Sequence, residues 1–201
     1  MIAIIDYDAG NIKSVEKALI SLGQDVVVSR DRKQILSADK VILPGVGAFG
    51  DAIKKLHEYG LVDVIKEVAD NKTPFLGICL GLQLMFEESD EAPGVKGLSL
   101  LKGRIVKFPE NTGYKIPQIG WNSLEIKPGA TLFKGIKNQS YVYFVHSYYL
   151  EAQDKEVVAA TTEYAAFVHA SVEYENLFGC QFHPEKSSDV GLKILKNFSD
   201  L

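Results

Sequence analysis

The chain has little cysteine, no excess of positive charge and no long uninterrupted apolar run. Only two cysteines, Cys79 and Cys180, occur in 201 residues, which excludes a disulfide scaffold and points to a reducing compartment. The formal net charge is -4 and the basic residues are scattered among acids, so the basic face of a nucleic-acid binder is not expected. No segment approaches the roughly 20 apolar residues of a membrane-spanning helix. The opening Met1-Ile2-Ala3-Ile4-Ile5-Asp6 lacks the basic start of a secretory leader. A cytoplasmic location is therefore expected, with neither nucleic acid nor membrane as partner.

Metal and dinucleotide signals are also missing. There is no HExxH, no CxxC and no cluster with metal-ligand spacing, so neither metal nor cofactor is expected. Gly45-Val46-Gly47 is followed by Gly50, but no acidic ribose ligand lies at the distance a dinucleotide fingerprint requires. What remains is average: 46% hydrophobic and 24% charged residues, as in an ordinary globular domain. No repeat, linker or low-complexity segment divides the chain, and one domain over residues 1–201 is the simplest reading.

The first half alternates short apolar runs with helical patterns. Strands are predicted at Ile2–Asp6, Asp25–Ser29, Lys40–Leu43 and Thr73–Cys79. Between the first two, Ile12, Val15, Leu19 and Leu22 recur at helical spacing, with Gly23 as a stop. Further helices are expected from Asp51 to His57, from Leu61 to Ala69 and beyond Leu80. Near-continuous apolar strands alternating with helices predict an α/β domain with a doubly wound, mainly parallel sheet and helices on both faces. The second half reads differently. Ser99–Phe108, Gln118–Ile126, Tyr141–Tyr149, Val157–Thr161, Phe167–Glu173 and Leu177–His183 look like strands with few helices between, an antiparallel extension of the sheet. A last helix is expected from Ser187 or Ser188, as N-cap, to Phe198.

Ligands of such sheets sit beyond the carboxyl ends of the strands, and three turn clusters fall there: residues 7–11, 44–50 and 77–81. The sharpest is Gly77-Ile78-Cys79-Leu80-Gly81-Leu82-Gln83, at the junction of an apolar strand and a helix. This has the form of a nucleophile elbow with cysteine as nucleophile. Small neighbours permit a tight turn, the helix N-terminus favours a thiolate, and the Leu80 N–H is placed to bind an oxyanion. By itself the motif also fits a buried core cysteine. Phe182-His183-Pro184-Glu185 supplies what a thiol nucleophile needs, a base and a group that orients it. In an extended segment His183 and Glu185 would point to one side. Pro44-Gly45-Val46-Gly47 offers a second oxyanion donor from Val46 or Gly47, although alone it fits an ordinary turn. Of the other histidines, His57 and His169 read as solvated, and His146, within an apolar strand, as a hydrogen-bonded structural residue.

These three segments, in this order, resemble the class I (triad) glutamine amidotransferases over almost the whole chain. The resemblance implies glutamine hydrolysis by Cys79, His183 and Glu185, through a thioester on Cys79. It implies an oxyanion hole from Leu80 with Val46 or Gly47, and substrate contacts by Gln83, Glu91 and the backbone of Ser147 and Tyr148. Asp6-Tyr7-Asp8-Ala9-Gly10-Asn11, Phe86-Glu87-Glu88-Ser89, Gln118-Ile119-Gly120-Trp121-Asn122 and Tyr143–Tyr148 are similar to the branch of the family that delivers ammonia to a separate (β/α)₈ cyclase subunit. A heterodimer is implied, with Asn11, Trp121, Tyr143 and Lys186 as candidate interface residues. The alternatives are a triad glutaminase serving pyridoxal phosphate, anthranilate or purine synthesis, a cysteine peptidase-like relative on the same fold, and a non-catalytic binding subunit.

Overall fold

The structure, a computed structural model, describes residues 1–201. The first half runs β1 (Ile2–Ile5), α1 (Ile12–Ser21), β2 (Val26–Ser29), α2 (Arg32–Leu36), β3 (Lys40–Leu43), α3 (Phe49–Glu58), α4 (Leu61–Asp70), β4 (Phe75–Ile78) and α5 (Leu80–Leu84). The second half contains β5 (Glu88–Ser89), β6 (Gly103–Lys107), β7 (Gln118–Ser123), β8 (Glu125–Ile126), β9 (Tyr141–His146), β10 (Tyr148–Ala152), β11 (Val158–Tyr164), β12 (Ala166–Tyr174), β13 (Leu177–Cys180) and α6 (Ser188–Ser199). No helix is long and apolar enough to cross a membrane.

One sheet of eight strands, ordered β2-β1-β3-β4-β13-β12-β11-β8, forms the frame. The pairings from β2 to β13 are parallel, and those from β13 to β8 antiparallel. Alternate residues of β1 feed opposite cores, as a strand covered on both faces requires. Ala3 and Ile5 join a cluster with residues of α2, α3, α4 and α5. Ile2 and Ile4 join one with Ile12, Val15 and Leu19 of α1 and with Ile194, Leu195 and Phe198 of α6. The sheet is thus doubly wound, with the apolar stripe of each helix pressed onto it.

The second half departs from the expected single extension. β13 lies parallel to β4, with Gly179 opposite Gly77, so it belongs to the parallel centre. All four of its residues are buried, the mark of a strand covered on both sides. β6 pairs with β10 on one side and β5 on the other in a separate three-stranded sheet, and β7 pairs with β9 in a two-stranded ribbon. Apolar alternation identifies these strands but does not name their partners. The short helix α2 is not foreseen, because it buries only Ile35. Its start is nonetheless encoded, since the Asp31 carboxylate accepts the Gln34 N–H at 2.9 Å. The cap expected of Ser187 is absent: its hydroxyl donates instead to the carbonyl of His183 at 2.6 Å.

His57 is exposed, as expected. His169 is not: it is buried, and its Nδ1 accepts the Ala152 N–H at 3.0 Å. His146 is hydrogen-bonded as foreseen, with Nδ1 2.8 Å from the Tyr148 carbonyl of β10 and Nε2 3.0 Å from the Gln118 side chain of β7.

Phe144 is fully buried and packs edge-on against Phe182 at 5.8 Å, tying the β7–β9 ribbon to the core. Phe144→Ala is expected to cost about 3–5 kcal/mol through the cavity it leaves. Urea denaturation checks this, and a loss below about 1 kcal/mol would mean the ribbon is not part of the cooperative core.

Candidate active site

β4 ends at a residue whose backbone is unusual. Cys79 has φ 54° and ψ −109°, a region that side chains other than glycine rarely occupy. Its N–H donates to the Cys180 carbonyl at 2.7 Å and its carbonyl accepts the Gln83 N–H at 3.2 Å, so both flanks are pinned. The turn closes because its neighbours lack side chains. A Cβ on Gly81 would lie 1.8 Å from the Leu43 carbonyl oxygen, and one on Gly77 2.7 Å from the backbone of Gly81. The second cysteine is a contrast. Cys180 is wholly buried in the centre of the sheet, and burial pushes its thiol up, whereas Cys79 lines an open cavity.

His183 and Glu185 follow β13, the strand beside β4. They are joined as expected, with Nδ1 of His183 2.8 Å from Oε1 of Glu185 and both side chains shut off from solvent. The reason differs from the one expected. Pro184–Lys186 is a turn of 3₁₀ helix rather than extended chain, and the turn folds the carboxylate back under the ring. The backbone of His183 is held on both sides by β9 and by Ser187. Its N–H donates to the Tyr143 carbonyl at 2.9 Å, and the Ser187 hydroxyl bridges its carbonyl to the Tyr143 N–H. A carboxylate at Nδ1 fixes the proton there and leaves Nε2, which has no hydrogen-bond partner, to take a proton from Cys79. Burial acts to lower the pKa of His183, but Cys79 and Glu185 outweigh it and raise it to about 9.

A cavity of about 280 Å³ opens at Cys79, lined also by Val46, Gly47, Leu80, Gln83, Glu91, Ser147 and Tyr148. Every oxyanion and substrate residue expected from the sequence is therefore brought to one place. Pro117, Val145 and His146 line it too and were not foreseen, since Val145 and His146 lie in an apolar strand that reads as core and Pro117 in the chain just before one. Burial holds the pKa of His146 down to about 4, so it is neutral there. The Glu91 carboxylate accepts the Phe49 N–H at 2.8 Å, at the free N-terminus of α3. Two placements correct the sequence reading. The Leu80 N–H is not free: it donates to the Gly45 carbonyl at 3.3 Å. The cause is close packing, because the bare backbone of Gly45 sits where a Cβ would be 2.9 Å from that of Leu80. Asn11, expected on a partner surface, is buried and donates to Glu185 Oε1 at 3.1 Å. The other three interface candidates are at the surface: Trp121 is 51% exposed, Tyr143 stacks edge-on against it at 6.1 Å, and Lys186 is exposed.

A family model for class-I glutamine amidotransferases matches residues 3–200. A protein of Caldanaerobacter subterraneus subsp. tengcongensis named imidazole glycerol phosphate synthase subunit HisH is 51% identical over 201 residues, covering 100% of this chain and 98% of its own. The protein of that name from Methanocaldococcus jannaschii is 46% identical, with both chains covered in full. Among solved structures, one titled glutamine amidotransferase superposes with a TM-score of 0.77 at 18% identity, over 99% of this chain and 100% of the other. PurLQS from Thermotoga maritima gives 0.73 at 19% identity, over 99% and 97%. At those identities the structures speak for the fold alone.

The raised pKa of His183 has a definite sign. Its protonated form stabilises the folded protein fully below the ordinary value of 6.5, and that contribution is lost as pH rises through about 9. Ring ¹⁵N resonances of His183 should titrate near pH 9, and Glu185→Gln should lower the midpoint. A midpoint near 6.5 in the intact protein would contradict the pairing.

Proposed function

The chain belongs to the class-I glutamine amidotransferase family, and we propose that it is the glutaminase subunit of imidazole glycerol phosphate synthase, serving histidine biosynthesis. The observation that carries the chemistry is the buried His183–Glu185 pair beside a cysteine held on a strained turn at the mouth of a cavity. The choice of synthase, over a pyridoxal phosphate, anthranilate or purine pathway, is supported by full-length relatives near 50% identity that bear this name.

Cys79 loses its proton to Nε2 of His183, and the thiolate attacks the side-chain amide carbon of glutamine. The tetrahedral oxyanion needs donors pointed at it. Val46 or Gly47 supplies one N–H and Leu80 another, once the Leu80–Gly45 hydrogen bond opens. The imidazolium of His183 then passes its proton to the leaving nitrogen. The C–N bond breaks, ammonia departs and a thioester remains on Cys79. Water, deprotonated by the now neutral His183, cleaves the thioester to glutamate and restores the thiol. Glu185 keeps the proton of Nδ1 in place and stabilises the imidazolium.

In water at neutral pH, ammonia is mostly ammonium, which is no nucleophile. Delivery therefore calls for a channel into a (β/α)₈ cyclase docked as a heterodimer in the cytoplasm. The docking face we assign is the outer side of the β7–β9 ribbon. Trp121 pairs with Tyr143 there, Ile119 and Tyr141 are 63% and 58% exposed, and Lys186 lies beside the triad. Gly47 sits at φ 100° with no neighbour crowding it, whereas Gly45 is packed against Tyr7 and Leu80, so it is the Val46–Gly47 peptide that is free to rotate when a partner binds. The engaged Leu80 N–H describes the resting state.

Glutamate release is accordingly expected to be slow for the chain alone and faster with a cyclase partner and its nucleotide ligand. Cys79→Ala should remove it by about three orders of magnitude or more. A coupled glutamate assay reads both arms. Activity that survives Cys79→Ala, or a high rate that no partner changes, would refute the reading.

A further inference from the structure

We propose that Gln181 is a second hydrogen-bond donor to the Cys79 sulfur, oriented for that task by Gln83. The inference rests on Cys79 being the nucleophile and adds a group that touches the reacting atom. Gln181 is fully buried, with its backbone N–H fixed on the Ala170 carbonyl at 2.8 Å. Its side-chain Nε2 lies 3.8 Å from Sγ of Cys79 and its Oε1 accepts from Nε2 of Gln83 at 3.1 Å.

Amide nitrogen and oxygen are told apart only by their partners, and here a chain of contacts decides. The Tyr148 carbonyl can only accept. It lies 3.0 Å from Gln83, so Gln83 must turn its NH₂ group that way. The same NH₂ reaches Gln181, which must then present oxygen to Gln83 and nitrogen to the sulfur. The carbonyl that starts the chain is itself held, since Nδ1 of His146 donates to it at 2.8 Å. A buried amide has no reason to spend an N–H on a neutral thiol, a weak acceptor. A thiolate is a strong one, and a donor aimed at it stabilises the charged form. Gln181 and His183 are two residues apart on the chain leaving β13, which brings both to the sulfur from one strand end.

This arrangement also leaves Gln83 a defined role toward substrate. Both hydrogens of its NH₂ are engaged, by Tyr148 and by Gln181. Only its oxygen remains to meet glutamine, and an oxygen accepts from the substrate ammonium group. One amide-to-amide contact thereby joins the residue that reads the substrate to the residue that holds the nucleophile.

The test is the pH dependence of Cys79 alkylation by iodoacetamide, followed by mass spectrometry of the Cys79 peptide, with buried Cys180 as the unreactive reference. The variants are Gln181→Glu, which keeps the acceptor and loses the donor, and Gln181→Met, which loses both without adding charge. Folding is checked by circular dichroism, with Gln181→Leu as a second uncharged variant should Gln181→Met not fold. Gln181→Met should shift the alkylation midpoint upward by about one pH unit, the scale of one charge-assisted hydrogen bond, and Gln181→Glu further still, because its carboxylate adds like-charge repulsion. A merely structural role would lower stability and leave the midpoint of the uncharged variant where it is in the wild type, and that result overturns the proposal. Glutamine turnover that survives Cys79→Ala would instead remove the premise, so the two failures are distinguishable.

Discussion

A residue in left-handed conformation at the end of a buried parallel strand is costly, and the architecture around Cys79 exists to hold one there. β4 carries the chain out of the centre of the sheet, and α5 begins one residue later. Only a sharp reversal at Cys79 allows this, and it throws the thiol outward at the carboxyl edge instead of into the core. The cost, of order 1–3 kcal/mol, is tolerated because β3 and β13 grip β4 from both sides. It also explains why Gly77 and Gly81 flank the cysteine: a methyl group at Gly81 would collide with the carbonyl of β3 that supports the turn.

Around that fixed point, the segment between β1 and α1 connects the parts that must act together. The Tyr7 hydroxyl donates to the Pro44 carbonyl at 2.8 Å, which holds the start of the Gly45–Gly47 segment. Burial raises the pKa of Tyr7, and the nearby charge of Cys79 adds to it, so the phenol stays protonated and keeps donating. Four residues later, Asn11 reaches the triad carboxylate. Between them Asp8 is gripped by Lys55, Tyr59 and Arg30, whose hydrogen bonds hold its carboxyl well below the usual range. Exposed ion pairs contribute little singly. A network that ties one loop to α3 and to the residue just after β2 serves to fix its position. The oxyanion segment and the triad therefore share a mechanical support, and the β7–β9 ribbon touches the same triad through Tyr143 and Ser187.

Much of this was legible in the sequence, for identifiable reasons. Strands covered on both faces announce themselves as apolar runs, so β1, β3 and β4 are placed within a residue or two, and the elbow becomes readable once His183-Pro184-Glu185 supplies a base, since the cysteine motif alone also fits a core residue. The triad was legible because chemistry limits which residues can serve. What escaped depends on long-range packing. Nothing local says that Leu177–Cys180 inserts beside β4, or that β5, β6, β7, β9 and β10 leave the main sheet to form two small ones. His169 and Asn11 look like surface residues until the backbone of Ala152 and the carboxylate of Glu185 come to meet them. Gln181 was visible only as a neighbour of the triad motif. Its role depends on Gln83, nearly half the chain away, and on a carbonyl of β10.

The account stands on Cys79 attacking the side-chain carbon of glutamine. The most direct test is a glutamine analogue with a diazoketone in place of the amide, incubated with the protein and its cyclase partner and followed by peptide mass spectrometry. One adduct should form on Cys79 and none on Cys180, excess glutamine should suppress it, and His183→Ala should slow it steeply. Labelling on another residue, or labelling that glutamine does not suppress, would contradict the account.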